Sequence, residues 1–370
     1  MQAFFYFFII SLSIHILYYL LIFRRFVFYK SSLKKNSRNL PVSVIICAKD
    51  EEENLQKFLP KIYQQNYPNF EVVLIDDRSI DKTWEIMESF REKFPEKTKV
   101  VRVDFSENPR FIGNKKYALT LGIKAAAHET LLFTDADCQP ASENWISRMT
   151  SKISATKQLI LGYGKYQKSS GFLNKMIRYE TLQTALQYFS YALIGKAYMG
   201  VGRNLAYTRK LFFDNNGFYN HLDILSGDDD LFVNEVSTAE NTDICINPES
   251  FTISIPAKSW KQWIRQKRRH ISTANHYKLL HRLLLAGYYF SLLGFYISSI
   301  ILLLNNFQWK IVTILIFIRF ILWYFVNYQT AKKLNEKDLV IWIIFLEPFL
   351  IIFQLYIFIL NLLKKPRHWN

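Results

Sequence analysis

Apolar residues crowd the two ends of the chain, whereas in the middle short apolar runs alternate with charged loops. Residues Gln2 to Phe23 include no Asp, Glu, Lys or Arg and only His15 among basic residues, over the ~20 residues that a helix needs to cross a bilayer. The run predicts a membrane helix. Its basic flank (Arg24, Arg25, Lys30, Lys34, Lys35, Arg38) comes after the apolar stretch and no small-residue cleavage site is present, so it reads as an uncleaved anchor rather than a signal peptide. The positive-inside rule then sets residue 24 onward in the cytoplasm. Leu283 to Leu304 and Trp309 to Tyr328 predict two further spans, joined by a tight turn at Asn305 and Asn306. A last run, Leu339 to Leu363, contains Glu347 and Pro348. Either it spans once and leaves the basic tail Lys364, Lys365 and Arg367 outside, or Pro348 breaks it into a re-entrant or interfacial pair and the tail stays inside.

Between the apolar ends, Val42 to Ala48 and Phe70 to Asp76 are β-rich runs, each followed by a segment of helical character, Glu51 to Gln65 and Asp81 to Phe94. Val100 to Val103 and Thr130 to Phe133 predict two more strands. This βαβ rhythm predicts a parallel α/β sheet, whose ligands bind outside the carboxyl ends of its strands. The organisation read from these patterns is an anchor at 1–24, a basic linker at 25–40, an α/β domain at 41–257, a basic amphipathic helix at 258–282, membrane or re-entrant helices at 283–363 and a basic tail at 364–370.

Composition narrows the class. The 370 residues are 50% hydrophobic and 16% aromatic, which excludes a disordered chain. Cys47, Cys138 and Cys245 are too few and too scattered for a disulfide framework or a CxxC zinc site. The balance of 47 Lys+Arg against 31 Asp+Glu gives +16, but the excess gathers at the membrane borders, where anionic lipid accounts for it without nucleic acid.

Five stretches carry candidate chemistry. PVSVIICAKDEEENL ends the first strand in an acidic loop, and LIDDRSIDKT sets Asp76 and Asp77 at the end of the second, followed by Ser79, Asp81 and Thr83. Adjacent carboxylates repel unless something occupies them. In TDADCQP, Asp135 and Asp137 flank Ala136, and an extended backbone would point both to one side, the donor set that Mg²⁺ or Mn²⁺ takes alongside substrate phosphates. In SGDDDL, the mutual repulsion of Asp228, Asp229 and Asp230 suits a general base. From Lys258 to Arg282 the chain has no acid, and Trp260, Trp263 and Ile264 share one helical face, as an interfacial helix requires. Two weaker signals are segment 113–127, where Lys115 or Lys116 could approach phosphate, and Ala197 to Lys210, where Gly200 and Gly202 would allow close approach to a ligand beside Arg203 and Asn204.

Together these motifs resemble membrane-bound members of glycosyltransferase family 2, related to cellulose, chitin and hyaluronan synthases and to lipid-linked transferases. The family's opening acidic loop, DD, DxD, acidic base motif and Q-x-x-R-W box read here as PVSVIICAKDEEENL, LIDDRSIDKT, TDADCQP, SGDDDL and Gln266 to His270. The resemblance implies a GT-A fold, a Rossmann-like α/β nucleotide-sugar domain with transmembrane helices at both ends. It implies inverting sugar transfer from a nucleotide-diphosphate sugar, with a UDP-sugar favoured, to a hydroxyl of a lipid, lipid-linked or polysaccharide acceptor at the cytoplasmic face of a membrane. Carried across, Ala48 and Glu51 lie by the nucleobase and ribose, Asp77 contacts the base, and Asp135 with Asp137 holds Mg²⁺ or Mn²⁺ on the diphosphate. Lys115 approaches the phosphates, Asp229 or Asp228 is the base, and Gln266 with Arg269 closes over the diphosphate.

The departures are His270 where the box has Trp, Asp228 where Glu is usual, and few C-terminal hydrophobic segments. They favour single addition over polymer export. The competing reading, a catalytically silent membrane scaffold or sugar-lipid-binding protein, would require a lost acid or metal ligand. The sequence sets no oligomeric state.

Overall fold

The structure is a computed structural model that describes residues 1–30, 39–104, 115–224 and 226–363. Lys34, Lys35 and Arg38 of the basic linker, Gly113 at the head of segment 113–127 and the tail 364–370 lie outside the described residues. The chain opens with α1 (Gln2–Leu17), a π-helical turn and α2 (Arg24–Val27), which together make one apolar helix over Gln2–Val27.

The α/β part follows the expected rhythm: β1 (Val42–Ala48), α3 (Glu52–Tyr63), β2 (Phe70–Asp76), α4 (Thr83–Lys93), β3 (Thr98–Arg102), α5 (Lys115–Ala125) and β4 (Thr130–Phe133). β1 pairs in parallel with β2 on one side and β4 on the other, and β2 pairs in parallel with β3. The strand order therefore reverses between β1 and β4, the switch point outside which open α/β sheets hold ligands. β1, β2 and β4 are buried nearly throughout, which is why they read as nearly continuous apolar runs rather than alternating ones.

The second half of the domain holds β5 (Cys138–Pro140), α6 (Trp145–Thr150), β6 (Leu159–Leu161), β7 (Gly164–Tyr166), α7 (Phe172–Leu193), β8 (Leu205–Thr208), α8 (Arg209–Asp214), α9 (Asp230–Val236), β9 (Thr242–Ile244) and β10 (Thr252–Ser254). The main sheet has the order β3-β2-β1-β4-β8-β6-β9, and β5-β10-β7 form a small second sheet. Because β8 runs antiparallel to β4, with Leu205 opposite Phe133, the residues leading into β8 arrive at the carboxyl end of β4.

No amphipathic period announces α7, because it is buried on nearly every side. It forms the layer between sheet and membrane helices. Phe189 stacks on Phe26 at 5.3 Å, and Arg178 binds Asp338 and the wholly buried Glu336.

The C-terminal part comprises α10 (Trp260–Thr273), α11 (Leu279–Leu304), α12 (Trp309–Lys333) and α13 (Ile343–Leu363). Gln2–Val27, α11, α12 and α13 are each long and apolar enough to cross a membrane. The basic segment 258–282 is not one helix: α10 stops at Thr273, a 3₁₀ turn follows over Ala274–His276, and α11 begins at Leu279. Nor does Pro348 break the last run. It sits in the second turn of α13, where its missing N–H costs one hydrogen bond, and the helix is continuous. This helix lies alongside α10: Trp263 stacks on Phe353 at 4.1 Å, and Arg268 donates to Asn361 at 2.9 Å.

Candidate active site

The loops after β1 and β2 are stitched together. The Thr83 hydroxyl accepts the Glu51 amide at 2.8 Å, Asp81 accepts the amides of Thr83 and Glu52, and Asp50 accepts that of Ile80. Ser79, Asp81 and Thr83 thus hold the loops, and Asp76, fully buried, accepts the Ser79 amide at 3.1 Å. Asp77 is paired with the Arg78 guanidinium, its Nε at 2.9 Å. Glu51 accepts the Asn54 amide, and burial pushes its carboxyl up to about 7 against that bond.

Asp135 and Asp137 do not sit on an extended strand as expected. β4 ends at Phe133 and the acids occupy a turn, with the Cys138 amide donating to the Asp135 carbonyl at 3.1 Å. The turn still converges them: donor atoms of Asp135, Asp137 and Cys138 lie within 4.8 Å of one another. Burial raises Asp137 and the neighbouring Asp135 charge adds to it. Asp135, itself desolvated, is held below the ordinary range by Lys115, whose ammonium lies 2.8 Å from it and 3.4 Å from Asp228. Such a pair fits a hard divalent cation, which would relieve the repulsion. The Cys138 thiol, a softer donor, donates to Asp137 at 3.2 Å and lies 2.9 Å from the Ser254 hydroxyl.

Asp229 caps α9. Its Oδ1 accepts the Asp230 amide and its Oδ2 the Gly202 amide, each at 2.7 Å. Burial, then Asp228 and Asp230, push its carboxyl up to about 7 against those bonds. Asp230 also borders the cavity and accepts hydroxyls from Tyr277 at 2.6 Å and from Thr273, tying α9 to the end of α10. From α10, Gln266 donates to the Tyr166 hydroxyl at 3.3 Å, and Arg203 lies over the Tyr166 ring at 4.7 Å.

Three expectations change. The space beside Gly200 is taken by Leu205, Leu161 and Val233, so the protein itself uses that glycine, whereas Gly202 lines the cavity and a Cβ there would make only an ordinary contact with Asp229. Asn204 is wholly buried, bonding the Trp145 indole and the carbonyls of Tyr163 and Ser250. Lys116 turns away from phosphate and donates to the carbonyls of His221, Ile224 and Ser226 at 2.6, 2.7 and 2.7 Å. By contrast, Ala48, Glu51, Asp77, Lys115, Asp135, Asp137, Asp228, Asp229, Gln266 and Arg269 all line one cavity of about 910 Å³. Arg203, singled out in segment 197–210, lines it too, as does Tyr166, which no motif signalled.

The sequence matches Glycosyl transferase family 2 over residues 43–213 and Glycosyl transferase family group 2 over residues 149–328. It is 32% identical to glycosyltransferase AglE of Haloferax volcanii over 33% of this chain and 38% of that protein. It is 24% identical to the probable glycosyltransferase YdaM of Bacillus subtilis over 71% of this chain and 64% of that one. A beta-monoglucosyldiacylglycerol synthase of a Nostoc species is 34% identical over 30% of this chain and 23% of its own length. The chain thus spans less than two thirds of each of these relatives. Among solved structures, mannosyltransferase PcManGT from Pyrobaculum calidifontis, in complex with GDP-Man and Mn²⁺, superposes with a TM-score of 0.59 at 16% identity, over 88% of this chain and 95% of that one. That likeness concerns the fold, a GT-A sheet with apolar helices. With two family matches that together run from the first strand into α12, the chain belongs to glycosyltransferase family 2.

Proposed function

We propose that the protein is an inverting glycosyltransferase that moves a sugar from a nucleotide-diphosphate sugar, with a UDP-sugar favoured, to a hydroxyl of a lipid, lipid-linked or polysaccharide acceptor. The observation that carries this reading is the convergence of the Asp135–Asp137 pair, Asp229 and Arg269 on one cavity at the carboxyl end of the parallel strands. Ala48, Glu51 and Asp77 take the nucleoside. Asp135 and Asp137 would hold Mg²⁺ or Mn²⁺, which when bound neutralises charge on the diphosphate.

In the transfer, Asp229 accepts the proton of the acceptor hydroxyl. The hydroxyl oxygen bonds to the anomeric carbon from the face opposite the diphosphate, and the bond to the diphosphate breaks with its electron pair going to the leaving group. Inversion follows from the single displacement. A base whose carboxyl sits near 7 is matched to neutral pH. Lys115, Gln266 and Arg269 place positive charge and donors where the diphosphate develops charge, and exclusion of water by α10 would protect the donor from hydrolysis.

We place the domain on the cytoplasmic side of the membrane. The side-by-side packing of α10 and α13 supports an in-plane position for both, with Gln2–Val27, α11 and α12 crossing. The basic tail then stays on the catalytic side, in keeping with the positive-inside bias. The reading is tested by incubating detergent-purified protein with UDP- and GDP-sugars, divalent cation and membrane extract. Nucleoside diphosphate release from one donor is expected, and binding without turnover would move the assignment to a silent scaffold.

A further inference from the structure

The cavity that holds the acidic residues does not end at them. It continues between α7, α10, α11 and α13 and is lined at its far end by Leu283, Ala286 and Phe290 on α11 and by Gln354 and Phe358 on α13. These are helices long and apolar enough for a bilayer. Leu283, Phe290 and Phe358 are 61%, 60% and 49% exposed, so that end opens on the face that lipid would cover. The two helices touch where the Tyr289 hydroxyl donates to the Ile351 carbonyl at 3.1 Å. The lining therefore passes from carboxylates, Gln266 and Arg269 at one end to a mostly apolar surface around Gln354 at the other.

We infer that the acceptor is a membrane lipid with a terminal hydroxyl, which enters sideways from the bilayer between α11 and α13. Its head reaches Asp229 while its hydrocarbon remains among Leu283, Ala286, Phe290 and Phe358. This rests on the proposed transferase reading and narrows its acceptor. A soluble oligosaccharide would find few polar groups at this mouth besides the Gln354 amide and the Tyr289 hydroxyl, and burying its hydroxyls without partners is costly. A lipid tail meets apolar surface there at no such cost. A lipid phosphate is the other amphiphile that fits the path, but it is already ionised and gives a base at Asp229 nothing to remove.

The test reconstitutes the full chain in vesicles of phosphatidylcholine, which has no free hydroxyl, containing either diacylglycerol or a polyprenyl phosphate, with a soluble oligosaccharide as the third arm. Radiolabelled donor is supplied, and label in lipid extracted into the organic phase and in oligosaccharide left in the aqueous phase is measured beside nucleotide binding. Wild type should label diacylglycerol. Ala286→Trp, which fills the mouth, should lower that label about tenfold or more with nucleotide binding retained. Gln354→Phe, on the opposite wall, should do likewise and stands in if the first variant fails to fold. Label confined to the polyprenyl phosphate would overturn the hydroxyl assignment, and label confined to the oligosaccharide, or unchanged in both variants, would overturn lateral entry. Either result leaves the transferase reading standing, whereas a wild type that binds no nucleotide overturns both.

Discussion

The Gly202 amide donates to Asp229 Oδ2 at 2.7 Å, so the residue before the Arg203–Asn204 pair holds one oxygen of the proposed base. A Cβ at Gly202 would meet Asp229 at 3.5 Å, an ordinary contact. Gly202→Ala should therefore keep most activity. Gly202→Pro removes the N–H, and Val201 at φ −120°, ψ 120° already has the conformation that precedes proline. Losing that donor disfavours the carboxylate. Rate should fall as pH drops through about 7 in the wild type, because the base must be unprotonated, and the fall should move to higher pH in Gly202→Pro. An unmoved pH–rate profile would dissociate this amide from the base.

Lys116 has become a positioning group for the stretch before the acidic triplet. Its ammonium serves carbonyls at residues 221, 224 and 226. Lys116→Met leaves these without that donor and should cost about 2 kcal/mol of stability, with loss of turnover exceeding loss of donor binding. Thermal melts beside donor titrations separate the two effects. Lys116→Arg should recover part of the turnover.

Arg178 on α7 neutralises buried Glu336 in the connection before α13. Removing one partner of a buried pair costs about 3–5 kcal/mol. Arg178→Met should thus lower the melting temperature in detergent sharply. The double variant Arg178→Met with Glu336→Leu should recover most of it, and additive losses would show that the pair is not coupled.

If α13 lies in the plane of the membrane, an epitope after residue 363 and the catalytic domain share one face. Protease added to sealed inverted vesicles should remove both, while a tag at Asn306, between α11 and α12, stays protected. Protection of the C-terminal epitope would make α13 a fourth span.

How much of this was readable in advance depends on how each residue earns its place. β1, β2 and β4 were legible because burial on both faces makes apolar runs that stop where the acidic loops begin. The membrane helices were legible for the same reason, through length and composition. The helix α7 was not, since Arg178 and Glu180 interrupt a surface that is buried all round, and their partners Glu336 and Lys267 are distant in sequence. The acids that line the cavity were singled out by type and spacing. What spacing could not show was how neighbouring acids divide their bonds: Asp229 and Asp230 both border the cavity, yet one accepts the Gly202 amide and the other the Tyr277 hydroxyl. Arg203 and Tyr166 meet only through the fold, across β7 and the lead into β8.

The most direct test of the central claim compares wild type, Asp137→Ala and Asp229→Asn for nucleoside diphosphate release from one donor, with Mg²⁺ or Mn²⁺ and a membrane extract as acceptor. The account predicts cation-dependent release by wild type. It predicts a loss in Asp229→Asn of at least about 10²-fold with donor binding kept, and in Asp137→Ala a loss of both turnover and cation-dependent donor binding. Turnover by Asp229→Asn at the wild-type rate, or cation-independent release unaffected by Asp137→Ala, would contradict it.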